Sequence, residues 1–349
     1  MRFWCKVIAF ARSCSVTTAW TVDYNQLQPN DNSTAAVRDV DGHVENIINI
    51  PGSAEYIALM QELTTHPNRL RPPILNTFSH QFRFLLKIVQ RRNNLFLGRP
   101  GSTNAATLGS MLRMLRSETE SRLSISITTI GLAIPNAAFA SHEEVNDALV
   151  YAGLKPLPKR AIHDGDFNAV YAAHGYGLCA TYADPYKCEK EENAMKDGDE
   201  LLHLDYTNRT LSANTDWIKM ARSKYAATNI VDWELGSDQK GTSGYWENVK
   251  ERVRRLKGKK EFTQLLLSGE RAGDEDFLET VKDALWDAEV EVREQDIDFR
   301  FVVARGAAEM QWRRQRGWLD CVQPKYCREK TVWGRLIGRF WRMFELWPN

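Results

Sequence analysis

Hydrophobic positions along this chain recur with two periods, and each change of period marks an element. Residues 35–40 and 43–50 are β-capable runs on either side of Asp41-Gly42, a pair that favours a tight turn, so they predict a hairpin. Residues 23–34 are polar and turn-rich and read as a loop. Ser53 can cap a short helix reaching Glu62, and the proline-rich stretch 67–73 breaks regular structure. Phe82, Leu85, Leu86 and Val89 recur at helical spacing within 78–90. Leu108, Met111, Leu112, Leu115 and Leu123 mark a third helix from residue 105. The run 123–134, alternating and then continuously apolar, predicts a buried strand ended by Pro135. Ser141-x-x-Glu144 is a capping box for a helix through Tyr151, with Gly153 as its C-terminal cap.

Beyond it the pattern predicts a helix over 169–174, a strand over 201–204 and a second hairpin arm over 209–213. Helices follow at 246–256, 274–285 and 301–316, with a strand at 262–267. Asp274, Glu275 and Asp276 supply the negative charge that a helix N-terminus favours. Strands alternating with helices predict mixed α/β layers.

Composition narrows the class. In 349 residues, 43% are hydrophobic and 26% charged, which excludes a disordered or collagen-like chain. Lys and Arg number 46 against 45 Asp and Glu, and a balance of +1 argues against a nucleic-acid partner. No apolar run approaches the ~20 residues of a spanning helix, so no transmembrane span is expected. Residues 7–11 are apolar beside Arg2 and Lys6, but Arg12 interrupts them and the signal-peptide pattern is poor. A cytoplasmic location is favoured, with the secretory pathway as the alternative. The six cysteines fall in three local couples, Cys5/Cys14, Cys179/Cys188 and Cys321/Cys327, with no zinc spacing. Reduced thiols and local disulfides both remain open, and glycosylation sequons at Asn32 and Asn208 accompany the second reading. The basic run 252–260 reads as a solvated helix face or a site for an anionic partner. In 333–347, Trp333, Leu336, Ile337, Phe340, Trp341 and Phe344 stand against Arg335, Arg339 and Arg342 at helical spacing. Such a helix docks on its own body, a partner groove or a membrane surface. His163 and His174 lack a nucleophile or metal partner in sequence and read as structural.

Several segments fall in a familiar order. Ser126–Pro135 with the helix ending Ala152-Gly153-Leu154, then Gly165–Gly175, then Leu202-His203-Leu204-Asp205-Tyr206-Thr207-Asn208-Arg209-Thr210, then Leu265–Arg271, and finally Val302–Ala308, together resemble the actin-like ATPase superfamily. The nearest likeness within it is to the nucleotide-binding domain of the seventy-kilodalton heat-shock chaperones. The resemblance covers residues 105–316. It implies a two-lobed α/β fold, a duplicated ribonuclease H-like unit with a reduced accessory subdomain between residues 214 and 262. The lobes would be 1–160 and 161–330, with 331–349 as an amphipathic tail. Nothing in the sequence corresponds to the chaperones' peptide-binding domain.

In that family two hairpins grip phosphates through backbone N–H groups, glycine permits the close approach, and carboxylates hold hydrated Mg²⁺. The resemblance places Asp166 and Asp205 as the catalytic and metal-holding carboxylates, Asp166 replacing a glutamate. It places Thr207, Asn208, Arg209 and Thr210 on the phosphates, and Gly269, Arg271 and Gly306 around the adenosine of ATP or ADP. Thr207, Asn208 and Arg209 stand where the family has glycines. The first phosphate turn should fall within 22–36, where Asp23 and Asp31 are the only acids and no glycine accompanies them. No catalytic lysine can be placed, though Lys87 lies in the broad region. The expectation is a pseudo-ATPase, with hydrolysis weak or absent, acting as an interaction or regulatory module on a protein partner. A working Mg²⁺-dependent ATPase with a rebuilt first loop and a nucleotide-free α/β scaffold are the alternatives.

Overall fold

The computed structural model describes residues 17–21, 32–39, 41–65, 78–135, 142–155, 164–195, 199–223, 228–257, 262–285, 291–292 and 298–316. They divide into two compact units, one drawn from Met1–Leu178 with Lys196–Trp312 and the other from Cys179–Met195 with Arg313–Asn349.

The first unit holds two five-stranded sheets. In the first, β1 (Thr17–Thr21), β2 (Asn32–Arg38) and β3 (Val44–Pro51) are consecutive antiparallel neighbours. After α1 (Ala54–Thr65), α2 (Phe78–Phe96) and α3 (Thr103–Leu123), β4 (Ile130–Ile134) pairs parallel with β1. After α4 (His142–Tyr151), β5 (Asp164–Gly165) pairs parallel with β4 and runs into α5 (Asp166–Ala173). The sheet order is β3-β2-β1-β4-β5. The second sheet repeats this plan. β6 (Asp199–Tyr206), β7 (Leu211–Ile218) and β8 (Thr228–Asp232) are antiparallel neighbours. After α7 (Tyr245–Lys257), β9 (Gln264–Ser268) pairs parallel with β6; after α8 (Glu275–Ala284), β10 (Glu291–Val292) pairs parallel with β9, and α9 (Val302–Gln315) closes the series. Taken as strands one to five, both sheets read three-two-one-four-five. The second unit contains α6 (Pro185–Ala194), capped by the Asp184 carboxylate and stapled to the preceding loop by the Cys179–Cys188 disulfide.

The expected hairpin at Asp41-Gly42 forms, with Gly42 at φ +89° and the Asp39 carboxylate accepting from the N–H of Asp41 and of His43 at 2.9 Å each. Ser53 caps α1, its Oγ accepting from the Tyr56 N–H at 3.2 Å. Gly153 ends α4 at φ +75°, where the following Leu154 N–H reaches back to the Leu149 carbonyl at 2.8 Å. Leu108, Met111, Leu112 and Leu115 of α3 are buried against the first sheet. β4 is buried along its whole length, as befits a parallel strand covered on both faces. One cover is α9: a Cβ on Gly131 would lie 2.5 Å from the Gln311 Cβ.

Several elements depart from the sequence reading. Residues 123–129 are not strand; α3 continues to Leu123, ends at a left-handed Ser124 (φ 53°), and the strand begins only at Ile130. The alternation there belongs to a connection held by the Glu120 carboxylate, which accepts from the Ile127 N–H at 2.6 Å. β1 and β8 carry no recognisable apolar run, and α6 is too polar to show a helical stripe. The C-terminal amphipathic stretch, His163, Asp23, Asp31 and the other four cysteines lie outside the described residues.

Candidate functional site

Alternation along β6 divides its side chains into two sets. Leu202, Leu204 and Tyr206 face the apolar cluster containing Val249 and Val253 of α7 and Phe277 and Val281 of α8, with the Tyr206 and Phe277 rings stacked at 4.0 Å. His203 and Asp205 face the other way. Strand register brings Asn214 of β7 opposite His203, and Ser268 of β9 opposite Asp205. All four are buried, as is Asp166 at the start of α5.

These side chains form one continuous hydrogen-bonded chain between the two carboxylates. Asn214 Nδ2 donates to Asp166 Oδ2 at 3.2 Å and lies 3.1 Å from His203 Nδ1. An amide nitrogen has only hydrogens to offer, so His203 Nδ1 accepts and its proton sits on Nε2. Nε2 then donates to Ser268 Oγ at 2.8 Å, and Ser268 Oγ donates to Asp205 Oδ1 at 3.0 Å. Burial lowers the His203 pKa to about 4, with only partial opposition from Asp205, so the ring is neutral at physiological pH. Asp166 Oδ1 accepts from the Phe167 N–H at 2.8 Å.

The turn joining β6 to β7 is residues 207–210, and each of its backbone N–H groups has an acceptor inside the protein. Thr207 N donates to the Thr210 carbonyl at 3.0 Å. Thr210 N and Arg209 N donate to Thr207 Oγ1 at 3.0 and 3.3 Å. Asn208 N donates to Glu270 Oε1 at 3.3 Å, and its side-chain amide bonds the same oxygen. A carboxylate of this chain therefore stands at the tip of the turn. Burial raises the Glu270 pKa, opposed by the Asn208 N–H and Arg271. Arg271 Nε and Ser237 Oγ donate to Asn208 Oδ1 at 2.8 and 3.0 Å. From outside, residues 236–238 close over the turn: the N–H groups of Ser237 and Asp238 bond the carbonyls of Thr207 and Asn208, and Asp238 lies 3.4 Å from Arg209 Nε. A Cβ on Gly236 would come within 2.0 Å of the Arg209 backbone.

Gly269 and Gly306, which the resemblance places around adenosine, lie against this chain's own backbone. Gly269, at φ +101°, would set a Cβ 2.3 Å from the Tyr206 carbonyl and 2.5 Å from Asp205 Oδ1. Gly306 of α9 would set one 1.7 Å from the carbonyl of Ala169 in α5. Asp166, Asp205, Gly269 and Gly306 thus belong to one neighbourhood, linked through the polar chain on one side and the α5–α9 contact on the other. Lys87 is exposed on α2, and His174 stacks on Tyr176 with ring centroids 6.2 Å apart.

Neither a protein-family model nor a curated protein matches the chain. Among solved structures, it is similar to ethanolamine utilization protein EutJ from Carboxydothermus hydrogenoformans, at 12% identity and a TM-score of 0.41, over 84% of this chain and 89% of that one.

The donor set bears on which groups the site could hold. Backbone amides cradle phosphate only when their hydrogens are free to point at it. Here the four N–H groups of 207–210 are engaged, and the Glu270 carboxylate holds the position where an incoming phosphate would add like charge. The turn does not fit a nucleotide phosphate in this arrangement. For a cation, the one group of three metal-type ligands within reach of one another among the described residues is Cys179, Cys188 and Glu192. Its two sulfurs are joined to each other, which leaves no thiolate to coordinate.

Reasoning from sequence missed His203, Asn214, Ser268 and Glu270. A usable signal existed for His203, since it shares the strand face of Asp205. The partners on β7 and β9 become visible only with the register.

Proposed function

We propose that this chain is a degenerate member of the actin-like ATPase superfamily: a duplicated ribonuclease H-like domain of two lobes, one on each five-stranded sheet and so divided after β5 rather than at residue 160, that has lost nucleotide turnover and acts as an interaction or regulatory module. The repeated three-two-one-four-five strand order supports the duplication. One observation carries the loss of turnover, namely that the second phosphate turn is closed by its own chain, with Glu270 and Thr207 Oγ1 taking the amide hydrogens that a phosphate would need.

In this reading Asp166 and Asp205 are retained as anchors of a neutral polar chain that ties α5 to the second sheet. Glycines that would elsewhere admit adenosine instead admit backbone at close range. The reading places no catalytic step on any residue. The Cys179–Cys188 disulfide supports the secretory alternative over the cytoplasm, because such bonds persist where the compartment is oxidising.

Titration calorimetry with ATP and Mg²⁺ tests the reading. It should give no binding heat, and neither ATP nor ADP should raise the thermal midpoint. Micromolar binding that disappears in Asp205→Ala would restore the catalytic alternative.

A further inference from the structure

Helix α2 is mounted with its apolar side outward. Phe82, Leu85, Leu86 and Val89 recur at three- and four-residue spacing along one stripe, with Phe96 two turns further on, and are 53%, 57%, 51%, 53% and 90% exposed. The opposite stripe, Ile88, Arg91, Asn94 and Leu95, is half-buried. Arg91 holds that side to α4, donating through Nε and Nη2 to the nearly buried Asp147 carboxylate at 2.6 and 2.9 Å and through Nη1 to Glu143 at 2.7 Å. A surface helix ordinarily turns its apolar stripe inward. This one is fastened by charge and presents leucine and phenylalanine to the outside.

The charge around the stripe selects its occupant. From Phe78 to Arg99 the sequence contains no Asp or Glu and five Lys or Arg residues, of which Arg91 is paired with Asp147 and Glu143 of α4. Arg92, beside the stripe, and Arg99, just beyond the helix, are exposed. A second copy docking by this face would set base against base. The amphipathic stretch 333–347 carries Arg335, Arg339 and Arg342 and has the same disadvantage. An anionic lipid surface satisfies both features, taking apolar side chains between its headgroups while basic ones meet phosphate and carboxylate.

We propose that the outward face of α2 is a membrane-surface site that lies on bilayers containing anionic phospholipid. The test is flotation of the full chain with phosphatidylcholine vesicles, plain or carrying about one third phosphatidylserine. The protein should float with the anionic vesicles only, and rising salt should weaken binding. The double variant Leu85→Glu/Leu86→Glu should lose at least about tenfold in partitioning while keeping its thermal midpoint, since both side chains are exposed. Arg92→Glu/Arg99→Glu should lose binding in the same way, and it covers the case in which the leucine variant fails to fold. Three results would overturn the proposal: no flotation with anionic vesicles; undiminished flotation of both variants, which moves the contact elsewhere on the chain; or a wild-type dimer in sedimentation that becomes monomeric in the leucine variant, which assigns the face to a second copy.

Discussion

Replacing His203 by glutamine tests the buried polar chain through its pH dependence. The imidazole is fully enclosed, and its pKa falls from the ordinary 6.5 to about 4 because the charged form has no water to solvate it. For a base with a lowered folded value, the unfolded chain takes up the proton first as pH falls. His203 therefore subtracts nothing at pH 7, and stability is lost progressively between pH 6.5 and 4. At pH 5 the loss from this one group is about 2 kcal/mol, rising to about 3 kcal/mol below pH 4. Glutamine has no such titration. Urea unfolding of the wild-type protein and of His203→Gln at pH 7 and pH 5 isolates the effect, because titrating carboxylates act in both. Wild type should lose about 2 kcal/mol more than the variant across that interval. Equal losses would mean that the ring is solvated or already charged, and the neutral Nε2–H assignment would be wrong.

Other consequences are simpler to read. Gly306→Ala places a methyl 1.7 Å from the Ala169 carbonyl, so α9 must retreat from α5, at a cost of about 3 kcal/mol seen as a lowered thermal midpoint. Gly241→Ala, with nothing within 4 Å, should stay within about 0.5 kcal/mol of wild type. Non-reducing peptide mapping should recover the Cys179 and Cys188 peptides joined; recovery of both as free thiols from protein alkylated at harvest would remove the support for an oxidising compartment.

Helices were legible in the sequence where a local signal existed, the apolar stripe Leu108, Met111, Leu112 and Leu115 for α3 and the acidic first turn for α8. The central strand of the first sheet was not. Thr17–Thr21 has no apolar alternation, and its place comes from pairing with β2 on one side and β4 on the other. Asp205 could be singled out from its motif, whereas Ser268 and Glu270 act on β6 and its turn from more than 60 residues away. Contacts of that range have no local signature. The same limit applies to α2, where periodicity gives the stripe but not the direction it faces, which the Arg91–Asp147 pair decides. Glycine loss at Thr207, Asn208 and Arg209 was visible beforehand; that Thr207 itself supplies an acceptor for two of the turn's amides was not.

Amide hydrogen exchange at Asn208, Arg209 and Thr210, followed with and without saturating ATP and Mg²⁺, measures the state of the turn between β6 and β7 directly. These three amides should be protected in the free protein and unchanged by nucleotide. Fast exchange that slows when ATP is added would show that their hydrogens are available to a phosphate, and would contradict the closed turn.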